Sequence, residues 1–447
     1  MEVANRTLHR GEQDGGRERR GASSYDSMEM TTMSKRHFAI FTLISLLSVY
    51  SMLGAAPSQA GVLDGNCRVA NQPAATLLIP YFEVDLGDPT GQTTLISVNN
   101  ASSKSTLARV VLWTDWGVPT LAFDIYLTGY DVQSINLRDF FVQSQLPVTG
   151  PDASNVGSLS NNDILFAGCG NTGAGGVAAP LDAGQLAYLK AAHTGKPVVT
   201  APTALCAGSG GAGPNIATGY ITIDSVNRCS PRTVGTTDNT PVQASYFAKG
   251  GTGLASDANV LWGDYYYVNS KRNTSDSQSA VSIVADPDFF AGGEYTFYGR
   301  YTNFDGRDDR VPLSSLYYSR YIDGGTFSGG TDLVVWRDNR TARAGTHTCG
   351  TNPDWAPLGE MQLVFFDEEE NPTEILRGNA FPLTTQKVHM GSTSLPAPHP
   401  FGWVMIDLWH QDSTHAQGWV STIMTAEGRF STGNEALRAD DLCNFGP

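Results

Sequence analysis

The feature that most constrains this chain is the near absence of long apolar runs with a 3.6-residue period. Its hydrophobic residues come instead in short stretches of Val, Ile, Leu, Thr, Tyr and Trp, bounded by Gly, Pro, Asn and Ser. Such stretches read as β-strands and the residues between them as turn formers. The candidate strands are 75–82, 93–99, 108–113, 124–127, 132–137, 219–226 and 260–269, then 331–336, 360–366, 386–390, 402–409 and 418–424. A sheet has one face that must leave water, and a chain poor in helices has little but another sheet to cover it. The expected fold is therefore all-β: two antiparallel β-sandwich domains of Ig-like or jelly-roll type, with long Gly/Ser/Asn-rich loops and few short helices. Val111, Trp113, Ile221, Ile223, Val364, Phe366, Val404 and Ile406 are the expected core.

Two short helices are expected. One runs over 182–192 with Asp182 as its N-cap, and the other over 434–442 with Asn434 as its cap. The loops at 147–180, 207–217, 230–242 and 337–357 carry most of the turn-forming residues.

A faint internal echo accompanies the strand pattern. TLISVN at 94–99, RVVLWTDWGVPT at 109–120 and GYITID at 219–224 recur in the same order as DLVVWR at 332–337, QLVFFDEEENPT at 362–373 and GWVMID at 402–407. A duplicated β-domain with different insertions explains that order. The organisation read from it is a first sandwich over 61–275, an aromatic and acidic junction over 276–325, and a second sandwich over 326–447. Asp224 and Asp407 end the echoed segments, which points to a repeated structural need rather than a repeated catalyst.

Residues 33–60 have the layout of a secretory signal peptide. Lys35 and Arg36 precede a mostly apolar run from Phe38 to Ala56, and Ser58-Gln59-Ala60 supplies small residues at a cleavage site. Residues 1–32 read as a disordered extension or a mis-called start. An uncleaved anchor is the alternative, because the run is just long enough to span a bilayer. Cleavage leaves 387 residues destined for the periplasm, the cell surface or the extracellular space, with no further membrane segment expected. Cys67, Cys169, Cys206, Cys229, Cys349 and Cys443 all follow the signal, an even number that suits up to three disulfides in any of fifteen pairings.

The net charge is −15 for the whole chain and −16 after residue 60, without a basic cluster. Such a surface repels phosphate backbones, so nucleic acid is not an expected partner.

Two stretches could carry chemistry. Residues 262–323 are rich in Tyr and Trp, whose flat apolar faces carry hydrogen-bonding groups and suit a sugar ring. Trp262, Tyr266 and Tyr317 are the candidate stacking residues. Asp305, Asp308 and Asp309 beside Gly306 offer oxygen ligands for calcium, the one cofactor candidate, although a surface turn salt-bridged by Arg307 and Arg310 is the preferred reading. His389, His399, His410 and His415 match no zinc spacing. There is no GxSxG, and Gly208–Gly211 lacks the Lys-Ser/Thr of a phosphate loop. Glu83, Asp85, Glu294 and Glu360 sit among strand-like residues, but spacing pairs none of them, so no catalytic residue is assigned.

The sequence thus points to an exported, non-enzymatic structural, adhesive or surface-recognition protein that meets a glycan or protein at the cell surface. A carbohydrate-binding protein or carbohydrate-active enzyme with an aromatic groove is the alternative. Oligomeric state stays open.

Overall fold

The computed structural model describes residues 72–438 apart from 148–179, 231–233, 235–238, 289–295, 303–305, 339–344, 352, 354–357, 376–379, 410–416 and 428. The signal segment and the residues before it lie outside this range. The first ten strands are β1 (Thr76–Asp85), β2 (Gln92–Asn100), β3 (Thr106–Trp113), β4 (Pro119–Leu127), β5 (Val132–Asn136), β6 (Leu205–Cys206), β7 (Ile216–Val226), β8 (Leu261–Asn269), β9 (Thr274–Ser279) and β10 (Val281–Ile283). The next ten are β11 (Leu316–Ile322), β12 (Thr331–Arg337), β13 (His347–Thr348), β14 (Leu363–Phe366), β15 (Pro372–Glu374), β16 (Thr385–His389), β17 (Phe401–Asp407), β18 (Gly418–Ala426), β19 (Phe430–Glu435) and β20 (Leu437–Arg438).

These strands form two regions of stacked antiparallel sheets with few short helices, a sandwich-like arrangement. In the first region a five-stranded sheet, β10-β1-β7-β3-β4, faces a four-stranded sheet, β5-β2-β8-β9. In the second, β20-β11-β17-β14-β15 faces β16-β12-β18-β19. Apart from the β6–β13 pair, each strand of one region has a counterpart at the same place in the other. This shared order is consistent with internal duplication. Strands of the first region end at Ile283 and those of the second begin at Leu316. Residues Asp64–Pro447 nonetheless form one compact unit.

The register tests the sequence echo residue by residue. Val110 pairs with Ile223 on β7, and Leu363 pairs with Ile406 on β17. The segments around RVVLW and QLVFF, and those around GYITID and GWVMID, are therefore equivalent in register. The third pair is offset by one residue. Ile96 and Val98 of β2 face the first core, and on β12 the residues facing the second core are Leu333 and Val335. TLISVN aligned on DLVVWR would match Ile96 to Val334, which points the other way because successive strand residues alternate in face.

Each region has its own core. Leu77, Ile79, Val110, Leu112, Ile221 and Ile223 meet Ile96, Val98, Tyr265 and Tyr267 between the first two sheets. Tyr317, Tyr321, Phe365, Val404 and Ile406 meet Leu333, Val335 and Val420 between the second two. The second face of β12 and β18 is also buried: Val334 and Ile423 join the first core, and Trp336 and Trp419 pack with Trp113 and Tyr220. Strand β9 lies alongside β19, which joins the two regions along a shared edge. Of the expected core, Val111, Trp113, Ile221, Ile223, Val364, Val404 and Ile406 are buried. Phe366 is half-buried instead, because it is the outward residue of β14 and its cover is one ring, Trp403.

The first expected helix forms as α1 (Ala183–His193), with Asp182 accepting from the Gln185 amide and Gln185 bonding back in a capping box. The second does not form over its described residues, and 439–442 lie outside them. Residues 434–438 are extended: Asn434 pairs with Thr422, and Leu437 with Tyr318. Cross-strand pairing at two sheet edges outweighs the helix preference of a short segment. Cys206 and Cys349 form a disulfide beside the β6–β13 ladder, so it links an insertion of one region to an insertion of the other. Cys229 is also disulfide-bonded. Cys67, Cys169 and Cys443 lie outside the described residues.

Candidate functional site

Strand alternation decides what happens to the aromatic segment 262–323. On β8, Leu261, Tyr265 and Tyr267 point into the core, and Trp262, Asp264 and Tyr266 point out. Trp262 is 45% exposed and Tyr266 37%. Four strand steps, with three residues between, separate them by about 13 Å. Across the sheet Trp262 stands opposite Asn99, Asp264 opposite Ser97, and Tyr266 opposite Leu95. Ser134 and Ser279 continue the Asp264 row. The result is a sheet face with two aromatic rings separated by a row of hydroxyls and one carboxylate. A hollow of about 410 Å³ opens beside Trp262 and Asp264, next to Pro73 and Ser282.

Tyr317, the third stacking candidate, is fully buried in the second core, and its hydroxyl donates to the Gly418 carbonyl. Its ring offers no face to a ligand. The neighbouring Tyr318 points out instead, at 5.7 Å from Trp403, and Trp403 stacks on Phe366 at 3.8 Å. Met405 and Leu437 flank Tyr318 on that sheet face, and Arg320 flanks Trp403. The aromatic segment is therefore distributed over two cores and two outer faces rather than gathered into one groove. Sequence reading missed Tyr318 and Trp403; a strict two-residue alternation from Tyr317 carries the signal for the first.

The acidic cluster lies behind the first five-stranded sheet. Asp308 is buried and accepts from the Tyr298 amide at 2.6 Å, and Asp309 accepts from the Gly250 amide at 3.0 Å. Burial pushes the Asp308 carboxyl up to about 7. Arg310 ties this turn to Asp224 at 3.8 Å and Asp257 at 3.3 Å. Asp224 in turn accepts from Thr76, Tyr246 and Tyr298. These carboxylates are engaged by backbone amides, hydroxyls and a guanidinium. Among the described residues no group of three or more His, Cys, Asp or Glu side chains is placed to hold a metal ion. Asp305 lies outside the described residues.

A cleft of about 1040 Å³ opens where the second region packs against the first. Glu83 of β1 and Lys387 of β16 form an ion pair across it. Tyr81 donates to Glu83 at 3.0 Å, and the Lys387 ammonium lies 5.7 Å from the centre of the Tyr81 ring. Asp332 of β12 holds His389 of β16 at 2.8 Å. Burial opposes the charge on Lys387, but Glu83 and Asp332 together hold its ammonium above the usual lysine range. Glu83 was visible in the sequence as a carboxylate inside an apolar strand; its partner 304 residues away was not.

No family model, curated protein or solved structure matches this chain. Among the described residues no helix is long and apolar enough to cross a membrane.

Proposed function

We propose that this is an exported, non-enzymatic surface-recognition protein whose two sandwich-like regions form a frame that presents aromatic sheet faces to a glycan or protein at the cell surface. The observation that carries this reading is the outward placement of Trp262 and Tyr266 on one face of β8, with Asp264 and a row of serines between them. Exposed aromatic rings carry a large desolvation gain and keep little side-chain entropy to lose, which favours them as binding anchors. The joined regions and the Cys206–Cys349 link suit an adhesive role, because they hold such a face rigid.

Carbohydrate binding is the specific form favoured by the hollow beside Trp262. A sugar ring can set its C–H face on the indole while Asp264 and the serines meet its hydroxyl rim. The test is depletion of the purified, oxidised protein from solution by insoluble polysaccharides and by cell-envelope preparations, with calcium present and with calcium chelated. Selective depletion that is lost in Trp262→Ala/Tyr266→Ala and kept in Tyr318→Ala/Trp403→Ala supports this face. Loss in the second pair alone moves recognition to the other region, and no depletion by any preparation refutes surface recognition through these rings.

A further inference from the structure

We propose that the cleft between the two regions is a second binding site, distinct from the exposed sheet faces, and that it takes a short neutral oligosaccharide. Its volume of about 1040 Å³ is near the upper end of the range that holds small ligands, about 300–1,000 Å³. Its position also fits, since such sites favour the junctions between packed units.

The lining identifies the ligand class. Four lining carboxylates, Glu83, Asp115, Asp332 and Glu427, stand against Lys271, Arg272 and Lys387, and Lys271 is itself paired with Asp88, so a strong anion is disfavoured and most of the charge is already paired. Asp115 is already held by the Ser209 hydroxyl and amide. Tyr81 is buried with its ring beneath Lys387, so no open aromatic face awaits a flat ligand. What the cleft does present is a set of fixed donors and acceptors. The Glu83–Lys387 pair is only partly exposed, with side-chain exposures of 14% and 27%, and Asp332 orients the half-exposed His389. Paired charges hold one another's geometry, and a carboxylate with two oxygens and an ammonium with three N–H groups keep hydrogen-bonding capacity beyond the pair. A sugar hydroxyl both donates and accepts, so a polyhydroxylated molecule can satisfy both kinds of group at once. Leu383, Val388 and Ala380 supply the apolar surface that its C–H faces need.

An ion pair largely removed from water is a costly way to hold two strands together, because apolar side chains of similar volume serve as well or better. Its place in the cleft wall puts it within reach of a ligand.

The experiment is calorimetric titration of the purified, oxidised protein with cellotetraose, maltotetraose, chitotetraose and mannotetraose, beside trigalacturonate and inorganic phosphate as anionic probes. At least one neutral tetrasaccharide is expected to bind saturably, and the anions are not. Ser394→Trp, at the exposed rim, intrudes into the cleft, and Asp332→Ala removes the acceptor that orients His389; each is expected to weaken binding by about tenfold or more while the thermal midpoint is retained. The titrations are made in the Trp262→Ala/Tyr266→Ala background, where the exposed face of β8 is lost, so the binding read is the cleft's and its outcome is separate from that of the exposed face. Binding of the anions alone, survival of binding in Ser394→Trp, or no binding by any neutral tetrasaccharide overturns the proposal.

Discussion

Arg109 and Asp124 face each other across β3 and β4 at 2.8 Å, with neither side chain reached by solvent. Arg109 also donates to the carbonyls of Asn239 and Ser230, and Asp124 accepts from the Ser230 amide. The pair therefore ties Ser230 and Asn239 to the outer face of the first sheet. Burial pushes the Asp124 carboxyl up, and the guanidinium opposes that. Removing one partner leaves the other charge buried. Arg109→Met is expected to cost about 3–5 kcal/mol, and Arg109→Met/Asp124→Leu to recover much of that loss. Urea denaturation of the two variants checks it; equal losses in both would show that the charge pair is not the cause.

The tyrosine pair in β11 tests the assignment of faces. Tyr317→Ala opens a cavity in the second core and is expected to cost about 3–5 kcal/mol, as other large aromatic truncations do. Tyr318→Ala removes a half-buried ring from the outer face and is expected to cost much less. Comparable midpoints for the two variants would mean that the strand faces are reversed.

The disulfide between Cys206 and Cys349 closes a segment of 143 residues that spans both regions. Replacing both by Ala is expected to destabilise by about 4–5 kcal/mol through the freed unfolded chain. Equilibrium unfolding under non-reducing conditions measures the difference. A loss below about 1 kcal/mol would show that the β6–β13 ladder and the packed sheets already restrain the two insertions.

Stability also carries a pH signature from Asp308. Its folded pKa of about 7 lies above its unfolded value near 3.8, so its contribution is fully present below about pH 4 and is lost as pH rises through 7. His193 acts oppositely: burial lowers it to about 4, so its contribution is present above its unfolded value near 6.5 and is lost as pH falls through 4. Asp308→Asn cannot ionise and keeps an oxygen for the Tyr298 amide. The fall in stability between pH 4 and 7 is expected to shrink by up to about 4 kcal/mol in that variant. Thermal midpoints measured across this range decide it, and an unchanged slope would place the titration elsewhere.

Much of the fold was legible in the sequence, because local chemistry fixed it. Asp182 caps a helix wherever its backbone neighbours are helical, and a Val- and Ile-rich run between turn formers is extended in almost any context. The echoed GYITID and GWVMID segments, with the strands beside them, were readable as equivalents, since equivalent core strands need similar residues. Local preference is weaker at sheet edges. The 434–438 segment has a helix-like composition and becomes strand because β18 and β11 offer it unpaired backbone groups.

The sequence by itself determined the all-β class and most of the longer core strands, because apolar and turn-forming residues act over a few neighbours; β11 and the short or edge strands such as β9, β10, β15, β19 and β20 were set by pairing instead. Only the tertiary structure decided which face of each strand is inside. The side-chain period is two, so Tyr317 and Tyr318 are alike in sequence and opposite in fate once a second sheet covers one side. The tertiary structure also brought Glu83 to Lys387 and Cys206 to Cys349. Contacts at such separations depend on how sheets stack, and stacking is set by the summed burial of many side chains rather than by any residue's neighbours in the chain.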